Sequence, residues 1–231
     1  MDLDPDRDAT TSAYIDGQIH LSTACTWDKK WALSPLFNNA VEEGVLKPSD
    51  TAYFQVFTIP GMPDTLAFNC PRFTNSFDMQ NTKMLTSTLI EARESIVRLI
   101  DFCRKYLSGC ENAFISQIAP EIGCRVSKRA LGKYYYTIED LKTGKTFETP
   151  VLISNYPIDV HATKKENVVL EKVYKEYQLP VESLLSADYE NLAFAGRGIS
   201  ADFFAQAALR IIPSCSSMGE GLANYLADLA D

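Results

Sequence analysis

Apolar positions Leu85, Leu89, Ala92, Ile96, Leu99, Ile100, Cys103 and Leu107 recur at three- and four-residue intervals, with Glu91, Arg93, Glu94, Arg98 and Lys105 between them. A period near 3.6 puts the first set on one face, which predicts a long amphipathic helix whose stripe packs into a core. Ser34 and Pro35, ahead of an apolar run ending at Gly44, predict a short helix with a hydroxyl cap, proline in its first turn and a terminating glycine. Residues 51–59 and 65–70 are β-branched and aromatic runs on either side of 60–64, whose Pro60, Gly61 and Pro63 preset or free φ, so they are expected to pair as a hairpin.

The same reading continues to the C-terminus. Residues 132–137 and 146–154 read as a second antiparallel pair, with a helical turn at 140–142 between them. Three successive tyrosines, Tyr134 to Tyr136, fit the alternation of a half-buried strand, with a sugar-stacking surface as the alternative. The charged, weakly periodic stretch 161–177 reads as an exposed excursion. Residues 191–195 read as a short buried strand ending at Gly196, and Ser214 or Ser217 as the cap of a closing helix through Leu222, Ala223, Leu226 and Leu229. The class is α/β with α+β character.

Composition narrows the partners. A chain of 231 residues, 46% hydrophobic and 23% charged, can bury the core of one large or two modest domains. A formal net charge of −8 without any Lys/Arg-rich run repels a phosphate backbone, so no nucleic acid is expected, and a small molecule or protein fits better. Six cysteines stand at irregular spacings without C-x-x-C, and only His20 and His161 could join them, so no metal site is expected. Cys103 and Cys110 could close a disulfide across a helix end, and free, partly buried thiols are the plainer reading. No apolar signal region or membrane-length window is present. The expectation is a soluble protein, cytoplasmic by default, open if the natural chain begins further upstream.

Gly196-Arg-Gly198-Ile-Ser-Ala201 matches G-x-G-x-x-A after an expected strand. A dinucleotide fingerprint also needs a second parallel strand ending in an acid about 20 residues later, and Pro213 and another helix intervene instead. The match is therefore read as a glycine turn.

Six blocks follow one another in an order that resembles a bacterial FAD-dependent oxidoreductase family with a glutathione-reductase-like FAD fold. They are Ile122-Gly-Cys-Arg-Val-Ser-Lys-Arg129, Gly132-Lys-Tyr with Thr137-Ile-Glu-Asp-Leu141, Tyr156-Pro-Ile-Asp-Val-His161, residues 177–185, Asn191 to Arg197, and Leu209-Arg210 with Met218-Gly219. The resemblance runs from about Thr58 to Ala227 and omits the family's N-terminal G-x-G-x-x-G unit. It implies a substrate-side domain over 1–160 with a mixed or antiparallel sheet, then a C-terminal strand and helix returning into a doubly wound FAD-binding domain over 161–231.

The resemblance also implies site residues. Gly196, Arg197, Ser217, Met218, Gly219 and Glu220 are the expected flavin contacts, with a helix opening near Met218-Gly219 and aiming its N–H groups at the flavin pyrimidine edge, where reduction places negative charge. Arg125 and Arg129 are expected to hold an anionic substrate group or shield the flavin, or else to pair with nearby acids. His161 is expected to move protons or to be structural. Arg210 is expected either at the FAD phosphates or fixing its turn. Where relatives carry histidines between the Gly-Arg turn and this arginine, Phe203, Phe204 and Gln206 stand here, so no proton transfer is assigned to those positions.

The expected function is thus the C-terminal part of an FAD-dependent oxidoreductase that oxidises a small organic substrate by hydride transfer to flavin, with FAD bound weakly or not at all by this part alone. A truncated gene product, one chain of a split enzyme completed by a chain carrying G-x-G-x-x-G, and a non-catalytic glycan- or protein-binding module are the competing readings.

Overall fold

The computed structural model describes residues 9–15, 18–26, 33–73, 78, 80–126, 128–161, 168–171 and 175–230. Two compact units are present, one within Met1–Ile122 and the other within Gly123–Ala162 and Asn167–Asp231. The segment after Gly123 belongs to the second unit because it makes backbone pairings with residues 177–201.

In the first unit, β1 (Ala9–Ile15), β2 (Gln18–Thr26), β3 (Tyr53–Ile59) and β4 (Met62–Phe68) form an antiparallel meander in chain order. The expected hairpin is β3–β4, closed more tightly than predicted. Gly61 takes φ +76°, so Pro60 and Gly61 suffice for the reversal and Met62 already belongs to the strand. The short helix is α1 (Ser34–Glu42), but Ser34 does not cap it. Leu33 occupies the cap position without a side-chain bond, and Ser34 and Pro35 lie within the first turn.

The long helix is α2 (Thr82–Tyr106). The Asn81 side chain caps it by accepting from the Met84 N–H at 3.1 Å, and Arg104 and Lys105 in its last turn favour the partial negative charge there. Its stripe is buried towards the C-terminal end, where Leu99, Phe102, Cys103 and the following Leu107 share a core with Phe37, Ala40, Leu46, Phe54 and Val56. The Phe37 ring centroid lies 4.3 Å from that of Phe102 and 5.2 Å from that of Phe54. Leu85, Leu89 and Ala92 are only half-buried, so the predicted stripe exceeds what this core covers. Cys103 and Cys110 are free thiols.

The second unit contains α3 (Ile138–Thr143), β5 (Pro150–Ser154), β6 (Ile158–His161), β7 (Val168–Glu171), β8 (Tyr177–Pro180), α4 (Phe203–Leu209) and α5 (Ile212–Asp228). The predicted helical turn is α3, held by a reciprocal Thr137–Asp140 capping box and ended by Gly144 at φ +65°.

Pairing departs from expectation in three places. β5 pairs with β8 instead of with 132–137. Residues 132–137 make only single bridges, Gly132 to Ser186 and Tyr136 to Ala201. At Gly132 a Cβ would lie 2.9 Å from the Glu182 carbonyl oxygen and from Ser200 Cβ, so this segment runs where a side chain does not fit. β6 and β7 form an antiparallel hairpin across the stretch read as an excursion, of which 162–167 and 172–174 lie outside the described residues. Residues 191–195 contribute one bridge, Ala193 to Leu185, in place of a buried strand, and Leu192 is 49% exposed.

The tyrosines keep their alternation without a ladder. Tyr136 is fully buried and Tyr135 exposed, while the Lys145 Nζ donates to the Tyr134 hydroxyl at 2.6 Å and lies 4.9 Å from that ring's centroid. The three rings present no common stacking face. Beneath them Tyr136, Leu141, Ile158, Tyr177, Leu179 and Leu209 form the core, joined by Met218 of α5. The whole has mixed α and β structure, and every named strand pair is antiparallel.

Candidate functional site

Placement of the site begins with the entry to α4. Asp202 Oδ1 accepts from the Ala205 N–H at 2.8 Å and fixes the first turn. One turn on, Gln206 is fully buried, and Arg210 follows four residues later at the helix end, so the two share a face. The Gln206 Nε2 donates to the Arg197 carbonyl at 3.0 Å and to the Arg125 carbonyl at 3.3 Å. Arg197 in turn donates from its guanidinium to the Cys124 carbonyl at 2.6 Å. These bonds bring the Arg125 and Arg197 segments, 72 positions apart in the numbering of the sequence, to one place.

Arg210 donates to the Asp159 carbonyl at 2.9 Å and lies 3.5 Å from the Asp159 carboxylate. Its side chain is only 10% exposed, and its Nε, like Gln206 Oε1, is buried without a hydrogen-bond partner among the described residues. Burial pulls the Arg210 guanidinium below its usual range; Asp159 opposes this and the nearby Arg125 adds to it. Burial pushes the Tyr156 hydroxyl up, Asp159 in the same direction, while Arg210 and Arg125 act against them. The Cys215 thiol is pushed up by burial and pulled back by Arg197 and Arg210. Arg125, Arg210, Tyr156 and Asp159 therefore act on one another electrostatically, and Cys215 is linked to them through Arg210 and to Arg197.

The closing helix starts earlier than expected, so it does not open near Met218-Gly219. Pro213 sits in the first turn of α5, where its missing N–H is not needed, and Ile211 is the cap. Neither Ser214, buried in the first turn, nor exposed Ser217 caps the helix. Met218 and Gly219 lie well inside it, so their N–H groups point along the helix instead of out of its end. The Met218 side chain is in the core, where its sulfur accepts from the Gly196 N–H at 3.2 Å. Ser217 and Glu220 are exposed, and a Cβ on Gly219 would meet no atom within 4 Å. The true opening of α5 carries Cys215, whose thiol donates to the Leu209 carbonyl at 3.8 Å.

Arg129 is exposed and stands apart from the cluster's bonds, although its neighbour Ala130 donates its N–H to the Gly198 carbonyl at 2.8 Å. Neither Arg125 nor Arg129 forms an ion pair among the described residues. His161 is the last residue of β6, its backbone opposite Val168, two positions from Asp159. Tyr156, Asp159, Gln206 and Cys215 were missed by sequence reasoning. Tyr156 and Asp159 lay in a quoted block and Gln206 at a noted departure, but only the fold shows that α4 and the 156–159 stretch meet. Among the described residues no three His, Cys, Asp or Glu side chains come together to hold a metal, and no helix is long and apolar enough to cross a membrane.

Buried cationic and polar groups thus lie beside open glycine turns in a protein of mixed α and β structure. The family model described as FAD dependent oxidoreductase matches residues 6–230, and the chain belongs to that family, with FAD as its cofactor. No curated protein and no solved structure matched.

The residues present fit the polar edge of such a cofactor. Arg210 Nε and Gln206 Oε1 have no hydrogen-bond partner among the described residues, and Cβ atoms at Gly196 and Gly198 would meet open space, so a planar group can approach that backbone closely. The phosphate end has no matching cradle among the described residues, because no parallel βαβ unit is formed.

Proposed function

We propose that this chain forms the substrate-facing part of an FAD-dependent oxidoreductase acting on a small organic substrate, and that a segment or partner chain carrying G-x-G-x-x-G supplies the phosphate cradle. Bound FAD supplies the chemistry by taking up a hydride from the substrate. The observation that carries this reading is the Gln206 amide joining the Arg125 and Arg197 carbonyls beside a buried Arg210 with an unused Nε.

Each part of the cluster has a role. Gly196, Arg197 and the opening of α5 at Ile212 to Cys215 hold the flavin edge, and the helix opening favours negative charge there. Gly219 gives a second open approach, flanked by Ser217, Met218 and Glu220. Arg210, fixed by Asp159, keeps a positive charge at the site. His161 moves the proton that accompanies substrate oxidation.

The test is a FAD titration of the purified 231-residue chain, alone and with an added chain bearing the G-x-G-x-x-G unit, followed by flavin fluorescence and absorbance around 450 nm. Binding only in the mixture supports the proposal. Stoichiometric binding to this chain alone overturns the separate cradle, and no binding in either case overturns the flavin-facing assignment. In the active assembly, His161→Gln should remove the limb of the pH–rate profile that lies near neutrality.

A further inference from the structure

We infer that Met218 is a positioning residue for the cofactor: its sulfur, by accepting the Gly196 N–H, sets the turn that the flavin edge meets; this rests on the flavin-facing reading above. Gly196–Gly198 is one helical turn of three residues, closed by the Ile199 N–H on the Gly196 carbonyl at 3.4 Å, which is long for such a bond. Gly196 takes φ +82°, a region that glycine enters and leaves at little cost. So short a turn, opened by so free a residue, takes its shape from the bonds made to it from outside.

Three such bonds arrive from three places. The Ala130 N–H donates to the Gly198 carbonyl at 2.8 Å, and the Gln206 amide of α4 donates to the Arg197 carbonyl at 3.0 Å. The third comes from α5, where Met218 Sδ accepts the Gly196 N–H at 3.2 Å. The first two grip carbonyls within and after the turn. The third orients the Ala195–Gly196 peptide, through which the chain enters it.

Met218 can serve as this acceptor because packing fixes it. Ser214, Met218 and Leu222 are buried at four-residue intervals along one face of α5, and Met218 is fully buried. Leucine occupies a similar volume, so filling the core does not by itself require methionine, whereas only the thioether offers an acceptor. Cβ atoms at Gly196 and Gly198 would meet no atom within 4 Å, so the turn held in this way keeps an open approach.

Two measurements on the full chain test the role. Amide hydrogen exchange at Gly196, read by NMR, reports the hold on the turn without cofactor, and a FAD titration in the mixture with the G-x-G-x-x-G chain reports its consequence. Met218→Leu is expected to speed Gly196 exchange about two- to tenfold, the loss expected for one hydrogen bond, and to weaken FAD binding by a similar factor. Its melting temperature and the exchange of Leu222 are expected to stay close to those of the wild type. Replacing the five methionines by norleucine, which exchanges each sulfur for a methylene, removes the same bond if Met218→Leu fails to fold. Selenomethionine, which keeps an acceptor, is expected to preserve both readouts. Unchanged Gly196 exchange in the leucine and norleucine forms overturns the hold of the sulfur. Faster exchange with unchanged FAD binding overturns the positioning role, and so does weaker binding accompanied by faster exchange throughout α5, since the helix as a whole has then loosened. Faster Gly196 exchange in Met218→Leu when FAD binds in no mixture, wild type included, upholds the hold on the turn and removes the flavin reading alone.

Discussion

Asp202 joins Ile138 across 64 positions: its Oδ2 accepts from the Ile138 N–H at 2.6 Å while its Oδ1 accepts from the Ala205 N–H. One carboxylate therefore satisfies the first turns of both α3 and α4. This fixes the helix that carries Gln206 and Arg210.

Asp202→Ala removes both bonds and should cost about 2–3 kcal/mol. Asp202→Asn keeps one acceptor oxygen and should cost less than half as much. Urea unfolding of the two variants checks the order, and equal losses would show that only one helix depends on this side chain.

In the first unit, Arg98 grips Asp50 through Nε at 2.7 Å and a terminal nitrogen at 2.9 Å, and Ser95 donates to the same carboxylate at 2.6 Å. Burial pushes the Asp50 carboxyl up, but the bonds from Arg98, Ser95 and the Lys47 N–H outweigh it and leave the group below its usual range. A carboxyl lowered in the folded state adds stability above its unfolded value, near 4, and loses it as the pH falls through the lower folded value. Asp50→Asn should therefore lose about 3 kcal/mol at neutral pH. Its stability should also fall less steeply than the wild type's on acidification below about pH 4, measured by denaturant unfolding at several pH values.

Much of the local architecture could be read from the chain, because its causes are local. The spacing of Leu99, Ile100 and Cys103 marked α2, Gly61 marked the β3–β4 turn, and the helical turn read at 140–142 is α3. Pairing was less legible. An alternating run shows which face is buried but not which strand it meets, so β5 was given the nearer partner when β8 takes it. The same limit hid much of the site. Arg125, Arg197 and Arg210 were marked by resemblance, but Gln206, buried and polar in a helix that otherwise reads as core, acquires meaning only when the two carbonyls it serves arrive from elsewhere in the chain.

Two glycines of α5 should answer differently to the same methyl group. A Cβ at Gly221 would lie 2.5 Å from the Val151 carbonyl oxygen and 2.9 Å from Val151 Cα, so Gly221→Ala must force α5 off β5 and should cost about 2–3 kcal/mol. Gly219→Ala meets open space and should stabilise the helix by about 0.5–1 kcal/mol. If flavin packs at Gly219 as proposed, the same variant should bind FAD more weakly. Melting temperatures and a FAD titration of the FAD-competent assembly separate the two effects.

The thiols of Cys70 and Cys103 are each pushed up to about 12, chiefly by burial. Almost none of either is ionised at pH 8, and the thiolate is the reacting form. Iodoacetamide at that pH should leave both unmodified in the folded chain and modify all six cysteines in urea, as read by peptide mass spectrometry. Labelling of Cys103 in the native state would show that the α2 core opens on the timescale of the reaction.

Gln206 takes hold of the Arg125 and Arg197 segments by their carbonyl oxygens and leaves their side chains out of the bargain. A carbonyl is present whatever residue occupies the position. The frame can therefore outlast changes of side chain at 125 and 197, so that a descendant could exchange one guanidinium for an apolar or acidic group and meet a different substrate on an inherited backbone. Position 206 has no such latitude, since only a buried side-chain amide of that reach spans both oxygens. Variation among descendants should gather around it and spare it.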